Sequence, residues 1–207
     1  MITESNVKSI LVQNLKFDTL KIKKLDNFVK NLLIYNKKRN LIAKSTEKQV
    51  WVRHILDSAQ LCSFIPKEPC RILDVGSGAG FPGVVLSILT GHEIHLVESD
   101  QKKCAFLRTA LSRIRSNAVV HQKRLEEMPS LSADIITARA FAPLPRLLSL
   151  TQKQHHPKLR FLLLKGRDVN SELINIDSWQ KIRVANQHAS ITSEDGCILE
   201  LQFNDAQ

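Results

Sequence analysis

Apolar residues in the first third of the chain recur three and four positions apart. Leu20, Leu25, Phe28, Val29, Leu32 and Leu33 share one side of a helix, with Lys and Asn between them, which predicts an amphipathic helix. It runs into the polar, basic turn NKKRN. A second helix is expected from about Glu47 to Phe64, with Trp51, Ile55 and Leu61 turned inward, until Pro66 and Pro69 stop it. After Pro69 the texture changes. The short apolar runs RILDV, IHLVE, AVVH, DIITA and RFLLL alternate with connectors or amphipathic segments such as KKCAFLRTALSRI. Strands alternating with helices read as βαβ units, hence a mostly parallel sheet with helices on both faces. The tail differs: KIRVANQ and CILELQF read as strands with little helix between them, an antiparallel C-terminal edge. The pattern divides the chain into a helical cap over residues 1–69 and one Rossmann-like α/β domain over residues 70–207.

Charge changes this picture more than composition does. The 207 residues are 43% hydrophobic and 24% charged, as in an ordinary soluble domain with one full core. The 30 Lys and Arg against 20 Asp and Glu leave a formal charge of +10, and residues 1–69 alone hold thirteen of those cations against six anions. Such a field favours polyanions, either nucleic acid or an anionic surface. Apolar stretches such as residues 84–89 are far too short to span a bilayer, and the opening MITESN lacks the layout of a signal peptide. Cys62, Cys70, Cys104 and Cys197 are scattered with no CxxC. The expectation is a cytoplasmic monomer with no metal site, no disulfide framework and no membrane association.

The densest chemical signal is DVGSGAGFPG, residues 74–83, which holds four of the seven glycines. It follows the strand RILDV and precedes a helix whose first turn takes Pro82, a residue suited to a helix start. A strand, a glycine loop and a helix start together set backbone N–H groups beside a ligand at the carboxyl edge of a sheet. Residues 78–83 match GxGxxG, which alone is weak evidence for a dinucleotide. Glu98 ends the next strand, where a carboxylate can accept both ribose hydroxyls; NAD and S-adenosylmethionine share that contact. Two features separate them. Asp74, two residues before the first glycine, favours a cationic ligand portion and repels a pyrophosphate, and no second domain is present to hold a hydride acceptor. The ligand is therefore read as a sulfonium that carries an amino acid.

VGSGAGFPG, RHILDS (residues 53–58), RLEEMP (124–129), RAFAPL (139–144) and LLLKGR (162–167) together resemble the RsmG (GidB) family, whose members methylate N7 of a guanine in 16S ribosomal RNA, position 527 in the usual numbering. The resemblance covers nearly the whole chain. It implies a class I S-adenosylmethionine-dependent methyltransferase fold, with the cofactor held by Gly76, Gly78, Gly80, Phe81, Glu98, Leu125, Glu126 and Arg139. The implied partner is 16S ribosomal RNA or the small ribosomal subunit. Cations that would meet it are Lys37, Lys38, Arg39, Arg53, Arg124 and Lys165, with His54 beside them. Lys21, Lys23, Lys24, Arg108, Arg113, Arg115 and Lys123 add to the basic surface. Arg53 and Asp57, four apart, would either pair along their helix or help place the RNA. One departure is Asn40-Leu41-Ile42-Ala43 in place of the family's Asn-Leu-Thr, which removes a hydroxyl.

Guanine N7 carries a lone pair and no proton, so transfer to it needs alignment and no general base. No catalytic acid or base is therefore assigned. A methyltransferase acting on another RNA or a small molecule, an RNA-binding protein without activity, and an NAD-binding fold remain the alternatives.

Overall fold

A computed structural model describes residues 2–174 and 181–204. The cap begins with α1 (Glu4–Ser9), followed by α2 (Thr19–Arg39). Asp18 starts α2 by accepting the Lys21 amide at 2.8 Å, and Lys37, Lys38 and Arg39 occupy the last turn, where cations suit the helix dipole. Asn40, in the left-handed conformation, ends it. Leu25, Phe28, Val29 and Leu32 are buried as the spacing predicts, but Leu20 is 62% exposed and belongs to the outer face.

The expected second helix is composite. A 3-10 turn (Lys44–Gln49), a π-helical turn (Trp51–Leu56), α3 (Asp57–Ala59) and a 3-10 turn (Gln60–Ser63) follow one another. Trp51, Ile55 and Leu61 face inward, as their spacing requires.

The sheet contains β1 (Arg71–Val75), β2 (Glu93–Glu98), β3 (Val119–Gln122), β4 (Ile135–Arg139), β5 (Arg160–Lys165), β6 (Ile182–Ala189) and β7 (Cys197–Phe203). Their order is β3-β2-β1-β4-β5-β7-β6. The first five pair in parallel; β7 runs antiparallel to both β5 and β6. The antiparallel edge is thus as expected, with the last strand inserted between β5 and β6. Strand order reverses between β1 and β4, which opens a crevice beyond their carboxyl ends, where ligands bind in such sheets.

Helices α4 (Gly83–Leu89) and α5 (Gln101–Ile114) lie on one side, and α6 (Leu144–Leu150) and α7 (Val169–Leu173) follow β4 and β5. Side chains alternate between faces along a strand. Ile72 accordingly joins the core under α4 and α5, while Leu73 and Val75 join the core on the other side. The cap shares the first core: Phe28 of α2 meets Phe81 at 5.5 Å and Phe106 of α5 at 6.3 Å between ring centroids.

Three contacts fix the direction of α2. Lys21 Nζ donates to the carbonyl of Leu89 at the end of α4 (2.8 Å), Arg113 near the end of α5 bonds Asn31, and Tyr35 packs on Phe106 at 5.3 Å. The helix therefore runs antiparallel to α4 and α5, and its basic C-terminus lies toward the carboxyl edge of the sheet.

Candidate active site

The loop between β1 and α4 is built almost entirely of main chain. Gly76 and Ser77 donate to the carbonyl of Val97 at 2.9 and 3.1 Å, and Gly78 donates to Glu98 Oε2 at 2.9 Å. Glu98 Oε1 accepts the Asp100 amide at 2.8 Å, so a single carboxylate ties the first loop to the start of α5. Gly76 and Gly78 both have positive φ, +67° and +55°. A β-carbon on Gly76 would lie 2.1 Å from the Phe141 ring, whereas one on Gly78 would find only the Gly76 carbonyl, at 3.7 Å. Gly76 is thus required by the packing of Phe141, and Gly78 leaves an open main-chain surface beside Glu98.

Asp74 does not meet a ligand directly, contrary to one reading of its position. It alternates onto the same face as Ile72 and is completely buried under the start of α4, where a β-carbon on Gly83 would lie 2.6 Å from its Oδ2. Thr137 Oγ1 donates to Oδ1 at 3.1 Å; Oδ2 makes no hydrogen bond of ordinary geometry. Burial pushes this carboxyl up from 3.8 to about 6, against the opposing pull of Ser77, Thr137 and the Gly83 amide. A group whose folded-state pKa is raised in this way adds stability that is complete below 3.8 and is lost as pH rises through about 6. Asp74→Asn cannot titrate. Between pH 4 and pH 8 its stability should rise relative to the unsubstituted protein by about 2 kcal/mol, or about 4–8 °C in melting temperature. Thermal melts of the two proteins across that range check the sign.

Arg139 ends β4 and is almost enclosed. Its Nη1 donates to the Arg53 carbonyl at 2.9 Å and lies 3.4 Å from Asp57 Oδ2; its Nη2 lies 2.8 Å from His54 Nδ1. The guanidinium also stands over the Phe81 ring, 4.8 Å from its centroid. His54 stacks on Phe81 at 4.9 Å and reaches Thr46 Oγ1 through Nε2 at 2.9 Å. Burial first, then Arg139 and Arg53, pushes its imidazole down to about 3. A neutral ring that accepts at Nδ1 from Arg139 and donates at Nε2 to Thr46 satisfies every partner.

Several expected roles change accordingly. His54 is 9% exposed, braces Arg139 from within and lines the cavity beside it. Arg53 and Asp57 do not pair along the helix: Asp57 takes Arg139, Gln60 and Thr192, and Arg53 stays exposed. Phe81 is 3% exposed and seals the cap against the sheet, which leaves only its main chain for a ligand. Ile42, where the family pattern has a threonine, is buried, and its amide is held by Asn36 Oδ1 at 2.8 Å.

The remaining candidates lie around the carboxyl edge. Leu125 is buried in the second core within the 3-10 turn Leu125–Glu127, and Glu126 points outward, 3.7 Å from Arg146. Arg124 is exposed, as are Lys37, Lys38 and Arg39. Lys165, at the end of β5, is largely buried; it donates to Glu172 at 2.5 Å and to the Ala142 carbonyl at 3.2 Å. Glu172 also accepts the Leu144 amide, and so joins the loop after β4 to α7. Lys21, Lys24 and Arg115 instead border a recess with Thr90 and Asn117 at the opposite, amino end of the sheet.

Beside Arg139 lies a cavity of about 650 Å³, walled by Asp57, Phe141, Lys165, Glu172 and Thr192 among others. Phe141 stands between this cavity and the glycine loop. Phe141 and Glu172 were not singled out from sequence; Phe141 falls inside RAFAPL, and Glu172 carries only its place after LLLKGR. The Phe141 ring thus separates two halves of the site: the glycine loop with Glu98 on one side and the cavity on the other.

Comparison with known proteins finds relatives over most of the chain. The family described as rRNA small subunit methyltransferase G matches residues 21–195. A protein of Rhodospirillum rubrum named ribosomal RNA small subunit methyltransferase G is 39% identical over 180 residues, 87% of this chain and 89% of that protein. One of the same name from Allorhizobium ampelinum is 44% identical over 187 residues, 86% of this chain and 87% of its own length. Among solved structures, the glycopeptide N-methyltransferase MtfA complexed with S-adenosylmethionine superposes with a TM-score of 0.59 at 11% identity, over 73% of this chain and 95% of that one, which shows a common fold.

Proposed function

The chain belongs to the rRNA small subunit methyltransferase G family, and we propose that it holds S-adenosylmethionine on the Gly76–Gly80 loop and Glu98 and takes a guanine into the cavity beyond Phe141. It is a methyltransferase that methylates N7 of a guanine in 16S ribosomal RNA. The cofactor, when bound, supplies an electrophilic methyl group. The observation that carries the residue-level reading is the side-chain-free surface at Gly78, tied to Glu98 and separated from an acceptor cavity by the Phe141 ring.

The chain's own residues have one main task, which is orientation. N7 has no proton to lose, so nothing in the site must act as a base. Fixing the base and the methyl group in line can supply about 7–11 kcal/mol of the barrier. Arg139, held from three sides by Arg53, His54 and Asp57, fixes the boundary between the two halves of the site. The cavity wall carries Asp57 and Glu172, paired with Arg139 and Lys165, so its charged groups are fixed in place before the base arrives. Leu125 and Glu126 offer main chain next to the adenine end.

The RNA lies across the carboxyl edge, where Lys37, Lys38, Arg39, Arg53 and Arg124 stand exposed. Replacing Lys37, Lys38 and Arg39 with alanine should weaken RNA binding and lower the slope of log K against log salt by about 2–3, at roughly 0.7–0.9 per lost phosphate contact. The double substitution Lys24→Ala with Arg115→Ala, at the amino end, should leave the slope unchanged. Filter binding over a range of salt distinguishes them.

We place the reaction in the cytoplasm and the protein as a monomer. Among the described residues no helix is long and apolar enough to cross a membrane. The direct trial supplies purified protein with methyl-labelled S-adenosylmethionine and small subunits from cells that lack the enzyme. Label mapping to one guanine N7 supports the reading; no label in 16S RNA, or label on another base, overturns it.

A further inference from the structure

Guanine N7 faces the major groove, which in A-form RNA is too deep and narrow for side chains to read. Enzymes that act on a stacked base turn it out of the helix, and proteins that open nucleic-acid stacks often fill the gap with an apolar wedge. The turn between β6 and β7 is placed to do this. Ser190, Thr192, Ser193 and Gly196 of that turn form part of the acceptor cavity wall. Ile191 lies between two of them, is not part of the wall, and is 53% exposed. Among the large apolar residues that stand exposed in the described chain, Ile191 is the one flanked on both sides by cavity-lining residues.

The turn that carries it is braced against the cap. The Ile191 amide donates to Gln60 Oε1 at 3.1 Å, and Gln60 Nε2 donates to Ser190 Oγ at 3.2 Å. Thr192 Oγ1 donates to Asp57 Oδ1 at 2.8 Å, and Asp57 in turn faces Arg139. Within the turn, Ser190 and Gly196 bond at 2.9 Å and Gly196 and Ser193 at 3.1 Å. A β-branched side chain has few rotamers to lose, so a rigid turn presents it as a stiff projection at the rim.

We infer that Ile191 is a wedge: it enters the RNA stack beside the target guanine and holds open the gap as the base turns into the cavity. This rests on the reading of the chain as a guanine methyltransferase of ribosomal RNA. It assigns the β6–β7 turn a substrate contact made by shape and apolar surface, separate from the cationic contacts of the edge.

Turnover on small subunits, compared among Ile191→Ala, Ile191→Leu and Ile191→Asn, tests it, with melting temperature and S-adenosylhomocysteine affinity measured for each. Ala and Asn should lower turnover about tenfold or more, with melting and cofactor affinity unchanged, while Leu retains most of the activity. Asn approximates the size of Leu without its apolarity, so the series separates a wedge from simple bulk. Unchanged turnover in Ile191→Ala overturns the inference, and so does a loss in Ile191→Leu equal to that in Ile191→Ala. An unsubstituted protein that transfers no label at all would instead refute the methyltransferase reading, on which the wedge depends.

Discussion

Arg139→Ala should lower the melting temperature by on the order of 10 °C. The substitution leaves Asp57 and His54 facing an emptied, nearly enclosed space where a guanidinium bonded Asp57, His54 and the Arg53 carbonyl. The Arg139 and Asp57 side chains are 18% and 19% exposed, so the loss should fall near or below the low end of the about 3–5 kcal/mol of a fully buried pair, and each kcal/mol is worth about 2–4 °C in a chain of this size. Arg139→Lys should recover only a small part, because a single ammonium cannot reach His54, Asp57 and the Arg53 carbonyl at once as the forked guanidinium does. Cofactor affinity should fall with both substitutions, since the cap helix that borders the site is anchored through this residue. Calorimetric melts with and without S-adenosylhomocysteine check both effects. A variant that melts like the parent would show that the contacts among Arg139, His54 and Asp57 do not hold the cap.

Glu98→Gln should weaken S-adenosylhomocysteine binding by at least about 100-fold. The substitution keeps the size of the side chain and removes the charge that receives the Gly78 and Asp100 amides and faces the open loop. Two charge-assisted bonds from a ribose, at about 1.5–3 kcal/mol each, correspond to that loss or more. A dissociation constant within about threefold of the parent would remove Glu98 from the cofactor site.

The residues these predictions concern were unequally visible in the sequence. The glycine loop and Glu98 could be read because their roles are local: a main-chain turn after one strand and a carboxylate at the end of the next. The parallel sheet followed from short apolar runs separated by amphipathic segments. The position of β7 between β5 and β6 did not, because periodicity gives the faces of a strand and not its neighbours. Arg139 was legible as a residue but not in its partners, since Arg53 and Asp57 are 86 and 82 positions away. The same holds for the bond from Thr192 to Asp57 across 135 positions and for the burial of His54 against Phe81. RHILDS showed helical spacing, and its Arg and Asp were four apart. The fold instead turned Asp57 to β4 and the β6–β7 turn, and left Arg53 in solvent. Asp74 was legible as a carboxylate beside the loop, yet strand alternation sends it beneath α4.

The claim under all of this is that the side-chain-free glycine loop and Glu98 form a seat for a methyl donor. Calorimetric titration of the unsubstituted protein with S-adenosylhomocysteine, and separately with NAD, tests it most directly. One saturable site per chain for the former and no measurable heat with the latter is the predicted result. No saturation with S-adenosylhomocysteine, or tighter binding of the dinucleotide, would contradict it.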